Sequence, residues 1–276
     1  MITLVDYRKV LDVFAKDNIF SCSVASLNKN SIVSQLFIKH DVEANINRAV
    51  RMAEVEYKLG HVTTYYFQGD FIETKSGKKA IKKIASYGHE IAYHYDVLDA
   101  NNGDYIKSTA QFKYYLDKFS SLRYRIKTVC PHGNPTKNRN GWNSNKDFFR
   151  NKKIRNLFPK IIDIVVDFPQ IFTKGLYISD AAYKLRIITE IANNDQSNDS
   201  AMLDGIIIQW KDLNKLVKEQ NATVLSIHPH RIMNNNFTLI LQKIIFRIAK
   251  KSYIVLRKIP FISTIVSKFY KLSRLI

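Results

Sequence analysis

The chain is 276 residues long, 46% hydrophobic and 24% charged, which is ordinary for a folded soluble protein with one large domain and at most an appendage. Its two cysteines, Cys22 and Cys130, match no metal-binding spacing and read as small buried residues in a reducing compartment. Charges interrupt the opening MITLVDYRKVLDVFAKD, and no apolar run approaches the roughly 18 residues of a spanning helix, so neither a secretory signal nor a membrane span is expected and a cytosolic protein is.

In chain order, the apolar run QLFIKH leads to Asp41 and reads as a strand. ANINRAVRMAEVEYKLG follows as a helix, with Ala49, Met52, Ala53 and Leu59 on one face and Gly60 as its stop. HVTTYYF is a second strand, SGKKAIKKIASYG a helix closed by Gly88, and HEIAYH a third strand. A helix over DYIKSTAQFKYYLDKF comes next. IKTVC, IIDIVV, GLYIS, KLRII, GIIIQ and TVLSI supply the remaining strands, and WKDLNKLVKEQN is the helix before the last of them. Short β-branched runs alternating with amphipathic helices predict βαβ units and a parallel sheet. The polar stretch NPTKNRNGWNSNKD, residues 134–147, reads as a functional or mobile loop.

Ionisable residues follow five of these strands: His40, Asp41 and Glu43, then His94, then His132, then Asp180, then His228 with His230. A (β/α) barrel assembles its site from the carboxyl ends of its strands in this way. His89 and His94 are five residues apart, so strand alternation sends them to opposite faces and they cannot chelate one ion as a pair. His89 and His61 each follow a helix-ending glycine and read as structural. Asp41 has a structural alternative too, as a cap for a helix starting near Ala44.

Five segments together resemble the polysaccharide deacetylase family with the NodB homology fold, carbohydrate esterase family 4, in its divergent cytoplasmic branch. They are HDVE (His40–Glu43), GHEIAYHYD (Gly88–Asp96), PHGNP (Pro131–Pro135), YISD (Tyr177–Asp180) and HPHRI (His228–Ile232). The resemblance implies a distorted (β/α) barrel over residues 1–232. It also implies a divalent metal, zinc by preference, and removal of an acetyl group from a sugar in cell-surface polysaccharide biosynthesis. By the same resemblance Asp41 is the base and Glu43 the metal carboxylate, with the two roles exchangeable. His94 is a metal histidine, His228 the acid, and Asp180 the carboxylate that tunes a histidine.

The family places a second metal histidine four residues after the first, where this chain has Leu98. Three protein ligands are the norm for catalytic zinc. His132, Asp96 and Asp99 are the candidate replacements, and His132 is preferred because it sits at a strand end. Trp142 is a candidate for stacking on a sugar, or else an anchor for its loop. His230 and Arg231 are candidates for binding the phosphate of a nucleotide- or lipid-linked sugar, or else form a solvated turn. The missing histidine also supports a rival reading: a catalytically degenerate protein that binds glycan or scaffolds a membrane-associated biosynthesis complex.

From Arg231 to Ile276 there are ten Lys or Arg and no acid, the last acid being Glu219. Residues 233–276 read as a basic amphipathic helical tail broken at Pro260. The tail either packs on the barrel or lies on an anionic membrane surface, which would make the protein peripheral on the inner face. Nucleic acid is not an expected partner, since no motif for it accompanies the charge.

Overall fold

In the computed structural model, residues 2–27, 35–134, 137–180, 184–189 and 205–256 are described. A helix over Leu4–Lys16 starts at a capping box in which Thr3 Oγ1 accepts from the Asp6 amide and the Asp6 carboxylate accepts from the Thr3 amide. Beyond it the predicted alternation is present: helices Ile46–Lys58, Lys75–Ser86 and Tyr105–Ser121 each connect neighbouring parallel strands.

The parallel strands lie in the order Leu176–Ser179, Ala222–Ile227, Gln35–Val42, Thr64–Gln68, Glu90–Tyr95, Thr128–Pro131 and Ile162–Asp163. The short Ser21–Cys22 strand adds to the amino-terminal end of Gln35–Val42. KLRII and GIIIQ form strands as expected, Arg186–Ile188 and Gly205–Ile207, but they run antiparallel along one edge. Among the described residues the ladder does not close, since the end strands Ile162–Asp163 and Gly205–Ile207 are not paired with each other. Among the described residues the expected (β/α) arrangement is a mixed α/β sheet.

Strand alternation assigns each side chain its task. On one face, Leu36, Ile38, Tyr65, Phe67, Ile91 and Tyr93 pack in apolar clusters with residues of the covering helices, among them Ala49, Met52, Ala53, Ile81, Ile84, Phe112 and Phe119. On the other, Phe37, Tyr66, Ala92, Cys130, Tyr177 and Val224 form a separate apolar cluster. Lys39, Asp41, His94, His132, Ser226 and His228 share the parity of this second set and lie toward the carboxyl ends of their strands.

His40 belongs to the helix-covered face, which separates it from Asp41. There the wholly buried Glu56 accepts from Tyr7 Oη at 2.6 Å, Thr63 Oγ1 at 2.8 Å and Tyr65 Oη at 2.8 Å, and contacts His40 Nε2 at 2.7 Å. Burial alone would raise the Glu56 pKa, but His40 chiefly, with His89 and Tyr7, carries it down to about 2. His89 and His61 are structural, as expected. His89 Nδ1 accepts from the Thr63 amide and its Nε2 faces the Ala53 carbonyl, while His61 accepts from the Ser21 amide.

The tail begins as a helix over Asn236–Leu256. Pro260 and the following FISTIVSKFYKLSRLI lie outside the described residues. Among the described residues, no helix is long and apolar enough to cross a membrane.

Candidate metal and catalytic site

Three histidines from different strand ends converge on one carboxylate oxygen. Glu43 Oε1 lies 3.5 Å from His94 Nε2, 3.5 Å from His132 Nε2 and 3.6 Å from His228 Nε2. Glu43 follows the strand Gln35–Val42 and His132 follows Thr128–Pro131, three strands away. At about 4.8 Å per strand, a flat sheet would separate those backbones by roughly 14 Å. The carboxyl edge is therefore concave, and long side chains close the remaining gap.

Each histidine is held by its other polar groups. His94 Nδ1 faces the Cys130 carbonyl at 3.0 Å, which directs Nε2 inward, and that Nε2 is buried with no hydrogen-bond partner among the described residues. Burial lowers the His94 pKa, but the Asp41 carboxylate together with the contacts to Cys130 and Glu43 carries the group up to about 10. His132 is fixed through its backbone, its amide donating to the Tyr95 carbonyl at 2.8 Å and its own carbonyl accepting from Asn145 Nδ2 at 2.8 Å.

His228 Nδ1 pairs with Asp180 Oδ1 at 2.6 Å, and its amide donates to Asp180 Oδ2 at 3.1 Å. Asp180 is gripped a third time by Arg231, whose Nη1 donates to Oδ1 at 3.0 Å and to the Asp180 carbonyl at 2.7 Å. Burial would raise the Asp180 pKa, yet His228 and Arg231 hold it well below the usual carboxylate range. Arg231 is thereby engaged with Asp180 through Nη1 and is buried, which sets aside the solvated turn. His230 is likewise buried, its ring 5.6 Å from that of His228 and its carbonyl accepting from Arg48 at 2.7 Å.

Asp41 has a partner that the sequence reading missed. Lys39, two residues earlier on the same face and fully buried, donates to both Asp41 oxygens at 2.7 Å and to Ser226 Oγ at 3.1 Å. The ammonium thus uses all three of its donors. Burial would raise the Asp41 pKa, but Lys39 chiefly, with His94 and His228, brings it down to about 2. The sequence signal was a lysine inside an apolar strand at an even spacing from Asp41.

Among the described residues, two groups bring candidate ligand atoms within 4.8 Å of one another: Glu43 with His94 and His132, and Asp41 with His94 and Cys130. The first is two imidazoles and a carboxylate, the donor set of a catalytic zinc. The inward-facing Nε2 of His94, with no hydrogen-bond partner among the described residues, is where a cation would take the place of the imidazole proton. The second group suits a cation less well, because Lys39 occupies both Asp41 oxygens and burial pushes the Cys130 thiol pKa up, away from the thiolate that metals need.

Leu98 lies fully buried in an apolar cluster, so the position where a second histidine was expected is part of the core. Asp99, one alternative ligand, is taken up by Arg139, whose Nε and Nη2 each donate at 2.7 Å, and by Trp142 Nε1 at 2.8 Å. Trp142 is therefore a buried anchor, with Gly103 backed against its ring, and it does not offer a face to a sugar. Asp96 joins neither group; it is half-buried, and burial pushes its carboxyl up. The site is nearly closed, with Asp41, His132 and His228 keeping 8%, 8% and 10% side-chain exposure.

No family model matches the sequence, and no curated protein matches it. Several solved structures are similar. The catalytic domain of a peptidoglycan N-acetylglucosamine deacetylase from Eubacterium rectale ATCC 33656 matches over 79% of this chain and 84% of that one, at 11% identity and a TM-score of 0.42. A CE4 family pseudoenzyme from Bacillus anthracis matches over 77% and 74%, at 11% identity and 0.40. A mutant of the peptidoglycan deacetylase PdaC from Bacillus subtilis matches over 84% and 100%, at 11% identity and 0.36. These three structures are two peptidoglycan deacetylases and a pseudoenzyme of the CE4 family.

Proposed function

We propose that the chain is a metal-dependent deacetylase-like hydrolase of the polysaccharide deacetylase family, acting on an acetylated sugar of cell-surface polysaccharide biosynthesis. The observation that carries this reading is the convergence of three histidine Nε2 atoms on Glu43 Oε1. Glu43, His94 and His132 would hold the divalent ion. When bound, such an ion polarises an acetyl carbonyl and lowers the pKa of water to about 7. Asp41, kept ionised by Lys39, accepts the proton of the attacking water. His228, oriented by Asp180, donates a proton to the departing sugar amine or hydroxyl. The Lys39 contact favours Asp41 as base and Glu43 as ligand, since a carboxylate already neutralised on both oxygens is a poor metal donor.

Acetate release from acetylated oligosaccharides with added zinc tests the reading. Asp41→Asn and His94→Ala are each expected to remove hydrolysis, and full activity in either would overturn the assigned roles.

The same Lys39 contact favours a second reading, a glycan-binding protein without turnover, because a carboxylate with a pKa near 2 is a weak base. This rival expects glycan binding in wild-type protein with no acetate released.

Recruitment to an anionic membrane is part of the first reading. Phe237, Ile240, Leu241, Ile244 and Ile248 recur at helical spacing and are exposed on the Asn236–Leu256 helix, Phe237 at 75%. An exposed apolar stripe within an acid-free, cation-rich segment is the pattern of an interfacial helix. Removing the residues after Asn234 should abolish sedimentation with phosphatidylglycerol vesicles, and unchanged sedimentation would exclude this role.

A further inference from the structure

Asp99 and Asn145 are buried polar residues that the proposed chemistry does not use. Asp99 Oδ1 accepts from Arg139 Nε at 2.7 Å and Trp142 Nε1 at 2.8 Å, and Oδ2 accepts from Arg139 Nη2 at 2.7 Å and Asn145 Nδ2 at 3.0 Å. The Asp99 amide donates in return to Asn145 Oδ1 at 3.1 Å. Asn145 Nδ2 also donates to the His132 carbonyl at 2.8 Å. The chain of contacts therefore runs from the loop residues Arg139 and Trp142, through Asp99 and Asn145, to the backbone of His132.

His132 lies just past the end of its strand, Thr128–Pro131, where its amide still donates to Tyr95 of the neighbouring strand but its carbonyl is bonded by a side chain. Its amide is held by Tyr95 and its carbonyl by Asn145, so the side-chain amide completes what the ladder leaves open. Asp99 is one residue from Leu98, in the short helix Val97–Ala100 that follows the His94 strand. That helix contributes a buried leucine to the core and, from its next residue, a carboxylate to the loop.

Resting on the Glu43, His94 and His132 metal reading, we infer that Asp99 and Asn145 form a buried clamp that positions His132 as the second histidine ligand of a divalent cation, in place of the histidine the chain lacks at Leu98. Asn145 and Asp99 are positioning residues that act through the His132 backbone. Partners that orient a metal ligand commonly change affinity by about 10–100-fold. Because Asn145 acts through the backbone and leaves the ring in place, the lower end of that range is expected.

Calorimetric titration of Zn²⁺ onto metal-free full-length protein, wild type against Asn145→Ala, tests this, with thermal melts of both proteins to select a temperature at which each is folded. The clamp predicts one site in both proteins and about tenfold weaker zinc binding in the variant. A lowered melt with zinc affinity unchanged would make Asn145 a stability residue only and overturn the inference. If wild type binds no zinc, the metal reading itself fails, which is a distinct result. Should Asn145→Ala not fold, Trp142→Phe removes one donor to Asp99 while keeping an aromatic ring against Gly103. It should weaken zinc in the same direction by a smaller factor, and unchanged affinity there would equally overturn the clamp.

Discussion

Replacing Lys39 by methionine keeps the length of the side chain and removes its charge, leaving Asp41 buried without its ammonium partner. Both groups are almost wholly shielded, with 0% and 8% side-chain exposure, so the contact is not a screened surface pair. The displacement of the Asp41 pKa from 3.8 to about 2, at about 1.4 kcal/mol per pH unit, corresponds to about 2 kcal/mol. Removing one member of a buried pair typically costs more, about 3–5 kcal/mol, because the remaining charge is left uncompensated. Lys39→Met and Asp41→Asn should each destabilise metal-free protein in urea at pH 7. The double variant should lose much less than the sum of the two, with a coupling of at least about 2 kcal/mol. Effects that add to within about 0.5 kcal/mol would refute the pairing and, with it, the reason given for Asp41 being the base.

Glu56 makes an independent prediction on the opposite face. Its carboxyl is depressed from 4.5 to about 2, so its contribution of about 3 kcal/mol is complete above pH 4.5 and is lost as pH falls toward 2. Glu56→Gln should be less stable at neutral pH and should lack that acid-dependent loss, as measured by urea melts between pH 5 and 3. Leu98→His, which restores the family residue, should cost about 3 kcal/mol by burying an imidazole in an apolar cluster. It should leave zinc affinity no tighter, and a tighter site would mean that Leu98 can turn toward the metal.

The site residues legible in the sequence were those whose position follows from local periodicity. Asp41 and Glu43 share one face, His94 opposes His89, and Asp180, His132 and His228 end their strands, so alternation and strand ends together gather them along one edge. The same rule could have set His40 apart from Asp41, since adjacent strand residues face opposite ways. Less legible was anything that depends on which strands become neighbours. A lysine within LFIKHD reads as exposed until the strand carrying Ser226 is laid beside it and the layer above it is filled by Asp41. Trp142 has two readings in the sequence, a displayed ring or a loop anchor, and Asp99, 43 residues earlier, draws it inward as the anchor. Whether the sheet closes depends on long-range pairing, which composition and periodicity do not encode.

X-ray absorption of the zinc-loaded protein tests the central claim most directly, because it reads the ligand set of Glu43, His94 and His132 without requiring turnover. The account predicts nitrogen and oxygen neighbours at about 2.0–2.2 Å with the scattering of two imidazoles, reduced to one in His132→Ala. A sulfur neighbour at about 2.3 Å would select the Asp41, His94 and Cys130 group instead and contradict it.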